Sequence, residues 1–538
     1  MLGFAMYLKD EQTASPNGNP VRQKGSVGKE TRRLLSLSGA YLFGELGQKA
    51  VGLLLIPIYT SVLDTRDYGF LALMYAAVSL LVIVVTTPIN RAFTRFYFHP
   101  DYKNRNKVLL FNLFILSTVK SALIAACVWE MDEFIARLLL GNASFHWFVD
   151  IFVLILFLQP MVLLFLSLLR MEEKAWLYVI VSGSQLILNA SLSLYFLLHK
   201  KWGVSSLVYG DLIGMIFLVI VVFPFFVKRL EFRFSFRELL YPLRYAYPLL
   251  PTGYSSTILQ VGDRYVLKYF GTISMVGTYS FGYAIGGILK LFAVEPVQKA
   301  LIPIVYKQER EPGRLKDFLR KICTYYYMSI IFLCLGLSLF SREVLMVLAR
   351  KPEFWDAWVV IPFIAFSFAQ HGLGNFVAWG MSLMFKSIHI SMILMVAAGV
   401  NIALNFVLIP IWGIVGAALA TLISYLVWNA LKMYYSAKFY ALHFEVGRLV
   451  HITVIGAGLY LLSLLFAAGD NGWIGVSIKT LILLTYPFLL FVTGFVSEEE
   501  KEYLRKLFHE IRAKGIVTVV KQLGIAGEGP KQGVDEII

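Results

Sequence analysis

An all-α polytopic membrane protein is the fold class this sequence predicts, and three observations carry it. Of 538 residues, 58% are hydrophobic and 15% charged, against about 45–50% and about 25% in soluble domains; mean hydropathy is +0.69. The apolar residues fall in fourteen runs, each near the roughly 20 residues that a helix needs to cross a bilayer. The connections are short, and none reads as a folded extramembrane domain. A soluble globule, a disordered chain and a coiled coil are excluded.

Residues 1–33 are polar, with Pro16, Asn17, Gly18, Asn19 and Pro20 as turn formers. No apolar stretch or small-residue cleavage site follows Met1 as a signal peptide requires, so a disordered cytoplasmic tail is expected. Runs 34–62, 66–89, 108–129, 146–169, 176–199 and 203–227 make six helices of an N-lobe, residues 34–227. Runs 240–262, 273–297, 319–340, 357–383, 387–410 and 413–437 make a C-lobe, residues 240–437, with soft boundaries near Pro248, Pro251 and Pro410. Two extra helices follow within 448–496. The tail 497–538 opens on Ser497, a plausible N-cap before three glutamates. Leu504, Leu507, Phe508 and Ile511 then share one face, which predicts an amphipathic helix on the inner leaflet.

The formal charge of +15 is read through topology rather than nucleic acid, because basic residues collect in cytoplasmic loops of membrane proteins. With the N-terminus inside, 36 of the 49 lysines and arginines fall in cytoplasmic segments and 10 outside. Lys200-Lys201 is a local exception. An even number of spans leaves both termini cytoplasmic. Cys127, Cys323 and Cys334 are too widely spaced for a disulfide framework, a zinc site or a redox pair.

The chain also compares well with itself. Gly69-Phe-Leu-Ala-Leu-Met-Tyr75 parallels Gly277-Thr-Tyr-Ser-Phe-Gly-Tyr283, an offset of 208. Asn189 and Trp202-Gly parallel Asn401 and Trp412-Gly at offsets of 212 and 210. Six spans return the chain to its starting side. The two halves are therefore expected to share one topology and to be related by a pseudo-twofold axis along the membrane normal.

Ile56-Pro57-Ile58-Tyr59-Thr60, Leu63-Asp64 and Asp67-Tyr68-Gly69 resemble the end of the first span in polysaccharide-transport flippases. Asp263-Arg264-Tyr265-Val266-Leu267 resembles the counterpart in span 7. Asn401 to Pro410 and Gly413 to Thr421 resemble spans 11 and 12. The likeness is to Wzx-type lipid-linked oligosaccharide flippases of the multidrug/oligosaccharidyl-lipid/polysaccharide (MOP) superfamily, over roughly residues 34–440. It implies a MATE-like pair of six-helix lobes around an alternating-access cavity in the bacterial inner membrane. It implies translocation of an undecaprenyl-diphosphate-linked oligosaccharide to the outer leaflet for O-antigen, capsule or exopolysaccharide synthesis.

Ionisable groups in hydrocarbon are costly and mark cavities or pathways. Glu45 and Lys49 lie four residues apart in span 1, as do Arg91 and Arg95 at the end of span 2. Guanidinium groups suit a diphosphate, which they bind through two hydrogen bonds at once. Lys290 is the lone cation deep in span 8, and Lys120 lies within span 3. Lys49, Arg91, Arg95, Lys120, Arg264 and Lys290 are thus the candidate substrate-binding residues. Glu45 and Asp263 are the candidates for ion coupling. Each also has a plainer structural reading, as a private ion pair, an interlobe contact or a flanking charge.

No phosphate-cradling loop with Lys-Ser/Thr is present. No long outer loop clusters acids and histidines, and the eight histidines have no metal spacing. A transporter without cofactor or metal is expected, not an enzyme. Its expected partners are the lipid-linked oligosaccharide, membrane lipids and glycan polymerase or export machinery, with no nucleic acid and a monomeric state. The alternatives are a cation-coupled multidrug or small-molecule antiporter and a lipid II-type flippase. The sequence names neither the sugar repeat nor the coupling ion.

Overall fold

The computed structural model describes residues 47, 50–102, 105–308, 312–384, 386–440, 442, 444–466 and 472–495, and among them there is no β-strand. Glu45, Lys49 and the tails 1–33 and 497–538 lie outside the described residues. The helices are α1 (Ala50–Val62), α2 (Thr65–Phe96), α3 (Asn106–Glu130), α4 (His146–Met171), α5 (Ala175–Tyr195), α6 (Ser205–Val227), α7 (Phe236–Ala246) and α8 (Leu250–Phe270). They continue as α9 (Ile273–Gly286), α10 (Glu295–Gln308), α11 (Pro312–Leu339), α12 (Ser341–Leu348), α13 (Ile361–Leu383), α14 (Ser387–Phe439), α15 (Val446–Phe466) and α16 (Trp473–Val492).

Among the described residues, nine helical segments are long and apolar enough to cross a membrane: α2 to α6, α11 and α14 to α16. A tenth forms if α13 is joined to the 3-10 helix Pro352–Val359, from which it is bent by 50°. Pro362 stands at that bend, where proline tolerates a helix start but not its interior. α8 and α9, read from the sequence as the seventh and eighth spans, do not meet the test. α8 carries Asp263, Arg264 and Lys268, and α9 ends after 14 residues, ahead of a π-turn over Lys290–Val294. These are the helices that wall the cavity described below.

The runs expected at 387–410 and 413–437 join as one 53-residue element, α14, broken only at Gly413 (φ 54°, ψ −126°). That backbone belongs to glycine alone, so the chain turns at Gly413 rather than at Pro410. The run expected at 240–262 starts differently. Its first residues belong to α7, a separate amphipathic helix, and α8 begins only after the turn Tyr247–Leu249.

The described residues cluster in two compact units. One holds α11, α15 and α16. There Tyr327 hydrogen-bonds Thr453 at 2.9 Å, and the Tyr486 hydroxyl donates to the Met328 carbonyl at 3.1 Å. The other holds α1 to α9 and α12 to α14. Its largest apolar core packs Phe93, Phe152, Phe165 and Phe226 among α2, α4 and α6.

α2 organises this second unit. Its start is fixed by a capping box: the Asp67 N–H donates to Asp64 Oδ1 at 2.8 Å, and the Asp64 N–H donates to Asp67 Oδ2 at 3.2 Å. Next to this cap α2 crosses α9 with almost no separation. A Cβ on Gly277 would stand 1.7 Å from the Thr65 carbonyl oxygen, and one on Gly69 would stand 2.0 Å from the Ile273 carbonyl oxygen. The contact is reciprocal. Both Gly69 with Gly277 and Thr65 with Ile273 are related by the offset of 208 read from the sequence. Thr65 and Ser274 share a hydrogen bond beside it. Tyr68 stands edge-on to Phe281 and Phe354, with ring centroids 5.6 and 5.1 Å apart.

Candidate functional site

Adjoining this crossing lies a cavity of about 400 Å³ between α1, α2 and α6 on one side and α8 and α9 on the other. Tyr59, Tyr68, Tyr75 and Phe281 give it aromatic walls, and Arg264 is the cation in its lining. Its small lining residues Ala72, Ala76 and Ser79 recur along one face of α2, which keeps the space open.

Arg264 is held in place by its own and the next helix. Nε donates to Ser280 Oγ at 3.1 Å, a terminal nitrogen donates to the Gln260 carbonyl at 2.9 Å, and the guanidinium lies 5.2 Å from the Tyr283 ring centroid. Gln260 also ties in the second predicted cation. Its Oε1 accepts from Lys290 Nζ at 3.3 Å, and Lys290 lies 5.4 Å from the Phe368 ring centroid. Arg264 and Lys290, twenty-six residues apart, therefore meet on one glutamine. Arg264 is thus a fixed guanidinium on the cavity wall, suited to an anion in apolar surroundings, while Lys290 is tied to the same glutamine without itself lining the cavity.

Asp263 is turned about 100° around the helix from its neighbour. It is fully buried, and its Oδ2 accepts a short hydrogen bond from the Tyr279 hydroxyl.

The other predicted residues are not drawn into this wall. Arg91 and Arg95 are exposed on the last turns of α2, beyond Ser79, the last α2 residue at the cavity. Half-buried Lys120 on α3 bonds the Tyr247 hydroxyl and lies 4.7 Å from that ring. Glu45 and Lys49 lie outside the described residues. Outside the helical spans, burial beside Glu172 pushes the Tyr97 hydroxyl up to about 12. Tyr97 thus stays a neutral donor to the Glu172 carboxylate, which Arg229 also holds at 3.1 Å.

One half-buried and one buried charge escape the sequence reading. Asp211 on α6 accepts from the Tyr75 hydroxyl at 3.0 Å and from Asn189 Nδ2 at 3.1 Å. Ser193 donates to Asn189 Oδ1 at 3.1 Å. Through Tyr75, a lining residue, this carboxylate connects to the cavity. Each half of the unit so carries one acid gripped by a tyrosine, Asp211 by Tyr75 and Asp263 by Tyr279. Lys432 on α14 is 1% exposed. Its Nζ donates to the Gly374 carbonyl at 3.1 Å and lies 3.3 Å over the Trp428 ring. The absence of metal spacing in the linear sequence also hides one spatial group. His146 lies 3.4 Å from Asp132 and 3.8 Å from Asp150, on partly exposed residues remote in sequence from the cavity lining.

A family profile described as "Polysaccharide biosynthesis protein" matches residues 36–308. Those residues include both first motif segments, 56–69 and 263–277. "Lsg locus putative protein 1" of Haemophilus influenzae is 23% identical over 315 residues, covering 57% of this chain and 74% of that protein. "Probable low-salt glycan biosynthesis flippase Agl15" of Haloferax volcanii is 24% identical over 235 residues, 43% of this chain and 48% of the relative. The solved structure "Lipid II flippase MurJ, inward closed conformation" superposes with a TM-score of 0.69 at 15% identity, covering 86% of this chain and 100% of that one. A multidrug resistance MATE family transporter of the MOP superfamily, in its inward-facing conformation, gives 0.57 at 12% identity, over 77% and 95% of the two chains. These likenesses establish the fold as that of MurJ and MATE transporters.

Proposed function

Because this chain belongs to the polysaccharide biosynthesis protein family, we propose that it is a flippase. Its cargo is an undecaprenyl-diphosphate-linked oligosaccharide, carried from the cytoplasmic to the outer leaflet of a bacterial inner membrane. The transport serves O-antigen, capsule or exopolysaccharide synthesis, and the chain acts as a transporter rather than an enzyme.

The observation that carries the reading beyond the family is Arg264 in the cavity lining, with Lys290 linked to it through Gln260. A guanidinium fixed in the lining of an aromatic, otherwise apolar cavity, with an ammonium bound to the same glutamine, suits the diphosphate of such a lipid. Arg91 and Arg95 receive the head group at the cytoplasmic mouth, Lys49 and Lys120 flank its path, and Arg264 and Lys290 hold it within. The prenyl tail stays in lipid while the two halves rock about the Gly69–Gly277 crossing. A cargo bound equally by both states shifts nothing, so direction needs a second ligand or removal of product. Asp263 and Glu45 serve as coupling acids, joined now by Asp211. Both termini face the cytoplasm, and the chain works as a monomer delivering cargo to polymerase or export machinery.

The 0.69 superposition on MurJ favours one second reading, a lipid II-type cargo moved by the same mechanism. The deciding experiment is to deplete the protein from native cells, extract lipid-linked glycans and ask which leaflet holds them. Accumulation of a glycosylated prenyl diphosphate facing the cytoplasm is expected, and its sugars separate the two cargoes. No accumulation, with raised sensitivity to cationic drugs, would sink both flippase readings and favour an antiporter.

A further inference from the structure

The connector between α6 and α8, residues 228–246, is an ordered strap with two unlike faces. Its inner face is tied to the N-terminal helices. Asn112 on α3 is fully buried; its Oδ1 accepts the Ser235 N–H at 2.9 Å and its Nδ2 donates to the Arg233 carbonyl at 3.4 Å. The Tyr102 hydroxyl donates to the Glu238 carbonyl at 3.3 Å, and Arg105 pairs with the Glu238 carboxylate at 2.9 Å. α7 buries Leu239, Pro242 and Ala246, three positions of one helical stripe, and Phe96 packs edge-on to Tyr241 and Tyr245.

The outer face is the opposite of what water tolerates. Phe232, Phe234, Phe236, Leu240 and Tyr241 are 71, 59, 62, 54 and 59% exposed. Lys228, Arg233, Arg237 and Arg244 are exposed among them and form no ion pair among the described residues. Glu231 is the one exposed acid of the strap. So many exposed large apolar side chains within one short segment mark an interaction site. Aromatic and basic side chains interleaved on an amphipathic helix fit the boundary between headgroups and acyl chains. The position fits too, since the strap leaves the end of one apolar helix and enters the start of another.

We propose that residues 228–246 lie in the headgroup layer as a docking surface for anionic phospholipid. Arg233, Arg237 and Arg244 take the lipid phosphates, which guanidinium groups bind through paired hydrogen bonds. Phe232, Phe234, Phe236 and Leu240 enter the acyl boundary. The charge excess selects anionic over zwitterionic lipid. The surface is independent of the cargo, so it stands whether or not the chain is a flippase.

The test is hydrogen exchange on the full-length protein in nanodiscs of phosphatidylcholine alone or mixed with phosphatidylglycerol. Amides of 230–246 are expected to exchange roughly tenfold or more slowly in the anionic discs, with α4 unchanged. The triple substitution R233Q/R237Q/R244Q is expected to lose that difference while keeping the thermal midpoint of the parent. Equal exchange of the unsubstituted protein in both discs would overturn the proposal, even if the triple variant failed to fold. So would the same protection produced in detergent by inorganic phosphate, which would mark a free-anion site.

Discussion

Arg264→Lys keeps a positive charge but removes the fork that reaches Ser280 and Gln260 together. Lysine cannot make both contacts and still present a planar face to a diphosphate. Hydrogen bonds to charged groups are worth about 1.5–3 kcal/mol, so transport by this variant is expected to fall about tenfold or more in a vesicle flipping assay. Parental activity would remove Arg264 from the cargo path. Lys290→Glu is expected to abolish transport while expression persists, because it sets an acid beside the same glutamine and repels the cargo. Asp263→Asn keeps the shape and an acceptor for Tyr279 while deleting a charge. Transport is then expected to lose its dependence on the driving ion gradient; a retained dependence would move coupling to Asp211. Lys290 stood out in the sequence because a charge inside an apolar run must be satisfied by something, whereas Asp263 and Arg264, just past the run 240–262, stood out through the motif they form with Tyr265. The same rule applies to Asp211, the lone acid in its run, which the sequence reading passed over. What no sequence shows is that Tyr75, 136 residues away, reaches it. Lys432 was hidden by its place near the end of a run, where a flanking cation is the ordinary case.

The glycine crossing of α2 and α9 admits no side chain. Gly277→Ala would push a methyl group into a backbone carbonyl, so the helices must separate or the site must strain. Overpacking costs about 1–3 kcal/mol when side chains can give; here the obstacle is backbone. Gly277→Ala and Gly69→Ala are each expected to lower the thermal midpoint by several degrees, and a double-mutant cycle should show strong non-additivity. Additive effects would mean that the two helices do not meet. Asp64→Ala, which removes the capping acceptor of α2, is expected to cost about 1 kcal/mol. Helix positions were largely readable because long apolar runs leave few alternatives. Their breaks were not. Proline marks where a helix can end, and the chain instead turned at Gly413, whose positive φ leaves no trace in hydropathy. α7 was merged with the following run because its exposed Phe236, Leu240 and Tyr241 read as apolar sequence whether they face lipid, water or protein.

Charge counting predicts an orientation with the N-terminus inside, and that expectation has a direct check. Reporter phosphatase fused after Gly141 is expected to be active outside the cytoplasm, and after Glu173 to be silent; the reverse would invert the topology. The repeat offset was legible as a sequence similarity; that Gly69 and Gly277 meet each other across it was not. The reciprocal contact at Gly69 and Gly277 has the geometry of an isologous dimer interface, in which one patch meets its own copy. A half-length chain carrying a single such glycine could make the whole contact with a second copy of itself, each giving a carbonyl and each receiving one. A duplicated and fused gene inherits that contact intact, and afterwards its halves are free to diverge everywhere except there. The present sequence carries that asymmetry: an aspartate at 211 on one side, a threonine at 421 on the other, and glycine kept on both.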